Sequence, residues 1–256
     1  MAGLTAGCLF GPGDPVPFKL FNAEGGSPFL LIGDHAGAAI PTGLGDLGLS
    51  AADRLRHIAV DIGVHGLGHV LARLLDAPFV YQPYSRLVVD CNRDPTHPES
   101  IPARSDGTVI CGNHGLSLAA KAMRTQSIHR PYHQAIADLI GTRMAAGRDT
   151  ILVSLHSFTP ILNDNIRPWD IGVLYWRGRT DFALSMLNQL RSIEDIIVGD
   201  NAPYAMDATD YTVPFHAFPN ALRYAEIEVR QDLIEDVQGQ LLWAERIANT
   251  VRHLSS

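Results

Sequence analysis

The amino-acid sequence predicts one α/β domain in which a mostly parallel or mixed central sheet is flanked by helices. Three observations predict it. Short apolar runs bounded by turn residues recur along the chain, segments with apolar residues at helical spacing separate them, and no linker divides the chain. A length of 256 residues is enough for one sizeable core. A hydrophobic content of 46% with only 18% charged residues excludes general disorder, which needs the opposite balance.

The elements follow in chain order. Residues 1–25, rich in Gly and Pro, read as a loose lead-in to a single domain spanning 1–256. Ser27 and Pro28 open a first strand at 29–32, which stops at Gly33. Residues 50–75 carry apolar side chains at helical spacing, with Ser50 as the N-cap. Residues 78–81 and 86–90 are strand-like. Residues 94–115 contain Pro, Gly, Asn and Ser throughout and read as a long loop, of the kind that forms lids or binding loops. A helical pattern covers 116–146, with a break near Pro131. The clearest buried strand is 150–155, followed by a strand at 170–175, a helix at 181–192, strands at 196–198 and 224–229, and a helical tail at 231–254.

Charge and cysteine usage narrow the function classes. With 20 Lys+Arg against 27 Asp+Glu the net charge is −7, which argues against a nucleic-acid partner. No apolar run has the length of a membrane span, and the N-terminal stretch lacks the basic residues of a signal peptide. Cys8, Cys91 and Cys111 show no CxxC spacing, so neither a disulfide framework nor a Cys-rich zinc module is expected. Together these predict a cytoplasmic protein with no membrane partner.

In open α/β sheets ligands bind beyond the carboxyl ends of the strands, so the residues that follow the apolar runs carry the information. The 29–32 run leads to Asp34 and His35, the 87–89 run to Asp90, Asn92 and Arg93, and the 151–155 run to His156 and Ser157; Glu228 stands near the end of the 224–229 run. A catalytic zinc takes three protein ligands, commonly His and carboxylate, and leaves one position open for water. His35 and His156 are the candidate nitrogen ligands, Glu228 the candidate base, and Arg86 or Arg93 the candidate grip on a substrate carboxylate. His65 and His69 have helical i,i+4 spacing, but a zincin motif needs Glu at 66 and the chain has Gly66, so a packing role is expected there.

An ordered series of segments then carries a resemblance. It runs through Asp34-His35-Ala36-Gly37, Asp61, Ser85-Arg86 to Asn92-Arg93, Gly107-Thr108, Tyr132-His133, His156-Ser157-Phe158, Asp170-Ile171-Gly172, Asp200 to Tyr204, and Glu226 to Arg230. The chain resembles the N-formylglutamate amidohydrolase family and, more distantly, the zinc carboxypeptidases, whose fold that family shares. The resemblance implies one zinc per chain and a small-molecule N-acyl amino acid substrate. Its best single guess is N-formyl-L-glutamate, cleaved by zinc-activated water to formate and L-glutamate in histidine degradation.

The carboxypeptidases take two ligands from HxxE, but Ala38 stands where the Glu would be, so the second ligand must come from elsewhere. Asp61 is the choice, on a helix after the first strand, an arrangement similar to that of zinc amidases acting on cell-wall peptides. Asp34 is the alternative, although adjacent strand residues point to opposite faces. The resemblance also implies Glu228 and Arg86 as catalytic residues, and Asn92, Arg93, His133 and Asn201 as substrate-binding ones; for His133 a packing role stands beside that reading. His57 is a candidate partner of Asp61 if it falls nearby. His97, His114, His129, His216 and His253 are expected in loops or at the surface. Two alternatives remain open: a related zinc hydrolase acting on another N-acyl amino acid or a small peptide, and a non-catalytic ligand-binding relative.

Overall fold

A computed structural model describes residues 9–254. Eleven strands and six α-helices occur among them. The strands are β1 (Lys19–Phe21), β2 (Phe29–Gly33), β3 (Phe79–Tyr81), β4 (Arg104–Ser105), β5 (Thr108–Val109), β6 (Ile151–Phe158), β7 (Ile161–Leu162), β8 (Asn165–Ile166), β9 (Ile171–Leu174), β10 (Val198–Asp200) and β11 (Arg223–Arg230). The helices are α1 (Val64–Leu75), α2 (Leu118–Arg124), α3 (Arg130–Ala145), α4 (Asp181–Arg191), α5 (Thr212–His216) and α6 (Val237–Arg252). Seven strands form one mixed sheet in the order β1-β3-β2-β6-β11-β9-β10; β4-β5 and β7-β8 are separate short hairpins. β3, β2, β6 and β11 run parallel, whereas β1 is antiparallel to β3 and β9 to β11.

The sheet is buried on both faces, which is why its central strands read as continuous apolar runs rather than as an alternation. On one face Leu31, Val153, Leu155, Ala225 and Ile227 pack with α1, α4 and α6, including Leu67, Met186 and Trp243. On the other, Leu30, Ile32, Leu152 and Tyr224 pack with Tyr132, Ile136 and Ile140 of α3 and Val213 of α5. Along β6 and β11 this second face turns polar toward the carboxyl end: Leu152 gives way to Ser154 and His156, Tyr224 to Glu226 and Glu228.

Several elements differ from expectation for identifiable reasons. The helix expected at 50–75 begins only at Val64. Gly63 precedes it with φ +83°, and a Cβ there would stand 2.2 Å from the Ile234 carbonyl oxygen, so the chain turns at a site only glycine fits. Residues 50–63 form turns around a short 3-10 segment, Asp53–Leu55, to whose first amide Ser50 Oγ is the acceptor at 3.0 Å. The strand-like 86–90 run is not a strand. Leu87, Val88 and Val89 are fully buried, but Asn113 and Arg124 donate to the Leu87 and Val88 carbonyls in place of a sheet ladder. β1 already occupies the free edge of β3. The described part of the lead-in is tied down by this pairing and by Tyr84, which donates to the Pro15 carbonyl.

Near Pro131 the helix does not break; a single π-helical stretch, Thr125–His129, joins α2 to α3, and Pro131 sits in the first turn of α3 where its missing N–H costs nothing. The strand at 150–155 continues to Phe158, placing His156 inside it, and the strand expected at 196–198 lies at Val198–Asp200. Cys91 is buried and Cys111 exposed, both as free thiols, while Cys8 lies outside the described residues. No helix among the described residues is long and apolar enough to cross a membrane.

Candidate metal centre

The three central strands β2, β6 and β11 are neighbours, and the polar residues at their carboxyl ends meet at a cavity of about 700 Å³. His35 follows β2 after a tight turn. There Gly37 presses so closely on the 82–85 segment that a Cβ would lie 2.0 Å from the Pro83 carbonyl oxygen. Asp61 is not on a helix as expected. It occupies the turn before α1, held by its own amide donating to the His35 carbonyl (2.9 Å) and its carbonyl accepting from Val64 N (3.2 Å). His156 projects from β6 opposite Glu228 of β11.

Ligand atoms of His35, Asp61 and His156 lie within 4.8 Å of one another, and all three residues are buried. Asp61 Oδ2 is 3.0 Å from His156 Nδ1 and 3.4 Å from His35 Nδ1. The far side of each ring faces a second carboxylate. His35 Nε2 donates to Asp90 Oδ1 at 2.7 Å, and Asp90 Oδ2 accepts from Arg86 Nη2 at 2.8 Å. His156 Nε2 stands 3.1 Å from Ser154 Oγ and 3.6 Å from Asp34 Oδ2. Both Nδ1 atoms therefore face the same small volume; Asp90 holds His35 Nε2 from behind, the arrangement in which a carboxylate fixes the tautomer of a metal-binding histidine, whereas the hydrogen-bond contact of His156 Nε2 is Ser154 Oγ. His35 Nδ1 has no hydrogen-bond partner although it is buried. Two imidazoles, one carboxylate and an orphaned ring nitrogen suit a zinc-type ion with an open position.

The electrostatics of the cluster follow from its carboxylates. Burial alone would depress the His156 and His35 rings, and Arg86 adds to this at His35; instead Asp34 and Asp61 raise His156 well above the ordinary value, and Asp90 and Asp61 raise His35. Burial would raise the Asp61 and Asp90 carboxyls, but the neighbouring histidines, and Arg86 at Asp90, hold both well below the usual carboxylate range. Glu228 is different. Its Oε2 has no hydrogen-bond partner, and burial pushes its carboxyl up to about 7, with His156 opposing and Asp61 reinforcing the shift. Glu226, two residues earlier on the same strand face, is also buried with an orphaned oxygen and raised by burial.

The remaining expected site residues separate into two groups. Arg86 and Arg93 line the cavity. Arg86 is fixed by Asp90 and by Asp61 Oδ1 at 3.4 Å, Arg93 by the Asn92 carbonyl and by Asp210 at 3.6 Å. Asn92 reaches the cavity wall, but its side chain is engaged: Oδ1 accepts from Tyr211 N and Thr212 N, and Nδ2 donates to Asp210. His133 and Asn201 do not line the cavity. His133 contacts the Cys91 carbonyl and His216, and Asn201 Oδ1 accepts from Tyr175 N.

In the Asp200–Tyr204 stretch the residue at the cavity is Tyr204, whose hydroxyl accepts from Arg167 Nη1 at 2.8 Å. The loop expected at 94–115 supplies Glu99, Arg104 and Asp106 to the cavity rim. His57 faces Asp106, not Asp61. The His65 and His69 rings lie tilted at 4.4 Å to each other and meet Tyr81 edge-on, away from the cluster. His129 and His216, expected in loops or at the surface, are buried on helical segments, whereas His114 and His253 are exposed.

Comparison with known proteins gives a family. The gene product Atu2144 from Agrobacterium tumefaciens is 33% identical, with 97% of this chain and 100% of that one covered and a TM-score of 0.92. N-formylglutamate amidohydrolase from Ralstonia eutropha JMP134 is 21% identical, with 93% and 99% covered and a TM-score of 0.65, a likeness of fold. No curated protein matches. The family profile described as N-formylglutamate amidohydrolase matches residues 27–235, which hold every strand of the seven-stranded sheet but β1, and the cluster of His35, Asp61 and His156: the chain belongs to the N-formylglutamate amidohydrolase family.

Proposed function

We propose that this protein is a zinc-dependent amidohydrolase that cleaves N-formyl-L-glutamate to formate and L-glutamate. One observation carries the reading: His35, Asp61 and His156 converge beside a buried, unpaired Glu228, in a cavity whose rim bears arginines. His35, Asp61 and His156 would hold the ion. When bound there, zinc supplies Lewis-acid polarisation of the formyl carbonyl and a water of lowered pKa. Glu228 accepts the proton of the attacking water and returns it to the leaving amine; a carboxyl pushed up toward neutrality is suited to both tasks. Arg86, locked by Asp90, presents its guanidinium edge to the developing oxyanion, and Arg93 receives a substrate carboxylate. Asn92 contributes by tying down the Tyr211–Thr212 backbone next to Asp210, which pairs with Arg93. Family membership supports the amidohydrolase class, and the arginines support an acidic substrate.

The test is zinc analysis of the purified protein together with turnover of N-formyl-L-glutamate against N-acetyl amino acids and dipeptides. Stoichiometric zinc and fastest hydrolysis of the formyl compound are expected. A protein that neither binds zinc nor gains activity from it would overturn the enzyme reading, whereas poor use of the formyl compound alone would transfer it to another N-acyl amino acid. Glu228→Ala should keep its zinc while turnover falls about 10²–10⁴-fold. Loss of zinc on that change would make Glu228 a ligand instead.

A further inference from the structure

Asp34 follows β2 directly and is one of the least accessible carboxylates in the chain, with 0% exposure. Burying an ionised carboxylate is costly unless charged or hydrogen-bonded partners meet both oxygens. Oδ1 has one: Tyr132 in the first turn of α3, itself fully buried, donates its hydroxyl at 2.8 Å. Oδ2 has no hydrogen-bond partner, and it faces the His156 ring, with Nε2 at 3.6 Å. The ring's other nitrogen points at Asp61. Asp34 lies outside the group of converging ligand atoms, so it stands behind a ligand rather than beside it.

The placement parallels that of Asp90 behind His35, where the contact is a 2.7 Å hydrogen bond; at His156 the carboxylate stands at 3.6 Å and Ser154 Oγ at 3.1 Å. Both rings have a carboxylate behind them. Tyr132 holds Asp34, while the adjacent His133 holds the Cys91 carbonyl, next in chain to Asp90.

We infer that Asp34, braced by Tyr132, is a positioning residue that fixes the ring of His156 so that its Nδ1 is presented to the metal. The inference rests on the zinc site proposed above. Asp34 orients the His156 ring through Nε2, with Ser154 Oγ as the second contact on that side, and Tyr132 keeps the carboxylate from rotating.

The test is equilibrium zinc affinity, measured by competition with a chromophoric chelator, for the wild type, Asp34→Asn and Tyr132→Phe. Asp34→Asn keeps the size and the contact with Tyr132 but loses the charge, and should weaken zinc binding about 10- to 100-fold, the usual cost of losing an outer carboxylate. Tyr132→Phe leaves the charge and should weaken it less, though measurably. Wild-type affinity in Asp34→Asn overturns the inference, whatever happens to the melting temperature of the metal-free protein. If Asp34→Asn does not fold, Tyr132→Phe decides: weakened binding supports the inference and unchanged binding overturns it. A wild type that binds no zinc is a different result, because it removes the zinc site itself.

Discussion

The protein buries two groups of histidines on the same side of its sheet, and they behave in opposite ways. At the strand ends His35 and His156 stand with ring centroids 5.0 Å apart, ringed by Asp34, Asp61 and Asp90. Under α3, His133 stacks on His216, while His129 lies tilted against His133 and Tyr211, and Phe215 meets His133 edge-on. Their ring nitrogens contact the Arg93 and Cys91 carbonyls and each other. Burial acts on both groups in the same direction. At the strand ends the carboxylates overcome it and raise the rings; under α3 burial prevails and all three rings are pushed down, His133 well below its ordinary value. Clustered, buried histidines do not make a metal site. Carboxylates beside the rings set the strand-end group apart, because they favour a cation at one nitrogen and a proton on the other.

The largest way to break this contrast is to remove the carboxylate that both Nδ1 atoms share. Asp61→Asn would leave the strand-end group with two neutral donors and no anionic ligand. Zinc affinity should fall by more than the ~100-fold upper end of what an outer partner costs, and hydrolysis should fall with it. Atomic absorption on dialysed protein and the chelator competition read this directly. Wild-type zinc content in the variant would remove Asp61 from the ligand set.

The same contrast shows what was legible in the sequence. The apolar runs at 29–32, 151–155 and 224–229 are strands because both faces of the sheet are covered, and their polar ends converge because β2, β6 and β11 are parallel neighbours. His35, His156 and Glu228 could thus be picked out by their place at strand ends. Asp61 could be named, but its position in a turn depends on Gly63 and its contact with Ile234, some 170 residues away in sequence. Asn92 and His133 have the residue types of substrate binders, and nothing local says that their polar atoms turn inward to hold the 210–212 segment and the Cys91 carbonyl. His129 did leave a signal. With Tyr132, His133, Ile136 and Ile140 it falls on one helical face, and all five are buried, so periodicity argued against a surface position. The 86–90 run failed for the opposite reason: apolar residues report burial, and here burial is satisfied by Asn113 and Arg124 without a sheet.

A smaller effect sharpens the comparison from the other side. Burial pushes His216 down to about 4 from 6.5; His129 adds to this shift, Asp34 opposes it, and His133 contacts the ring directly. The unfolded chain takes up a proton near 6.5, whereas the folded chain refuses it until about 4, so the folded state binds fewer protons in between. Stability from this group is complete above the unfolded value and is lost as the pH falls toward the folded one, by about 3 kcal/mol at most. His216→Gln removes the titrating group while keeping a polar side chain opposite His133. In metal-free protein, where no zinc ligand exchanges protons for an ion, urea midpoints of the variant should fall less steeply between about pH 6.5 and 4 than those of the wild type. Parallel curves would mean that His216 carries no buried neutral ring. The contrast with the strand-end rings would then rest on His129 and His133 alone.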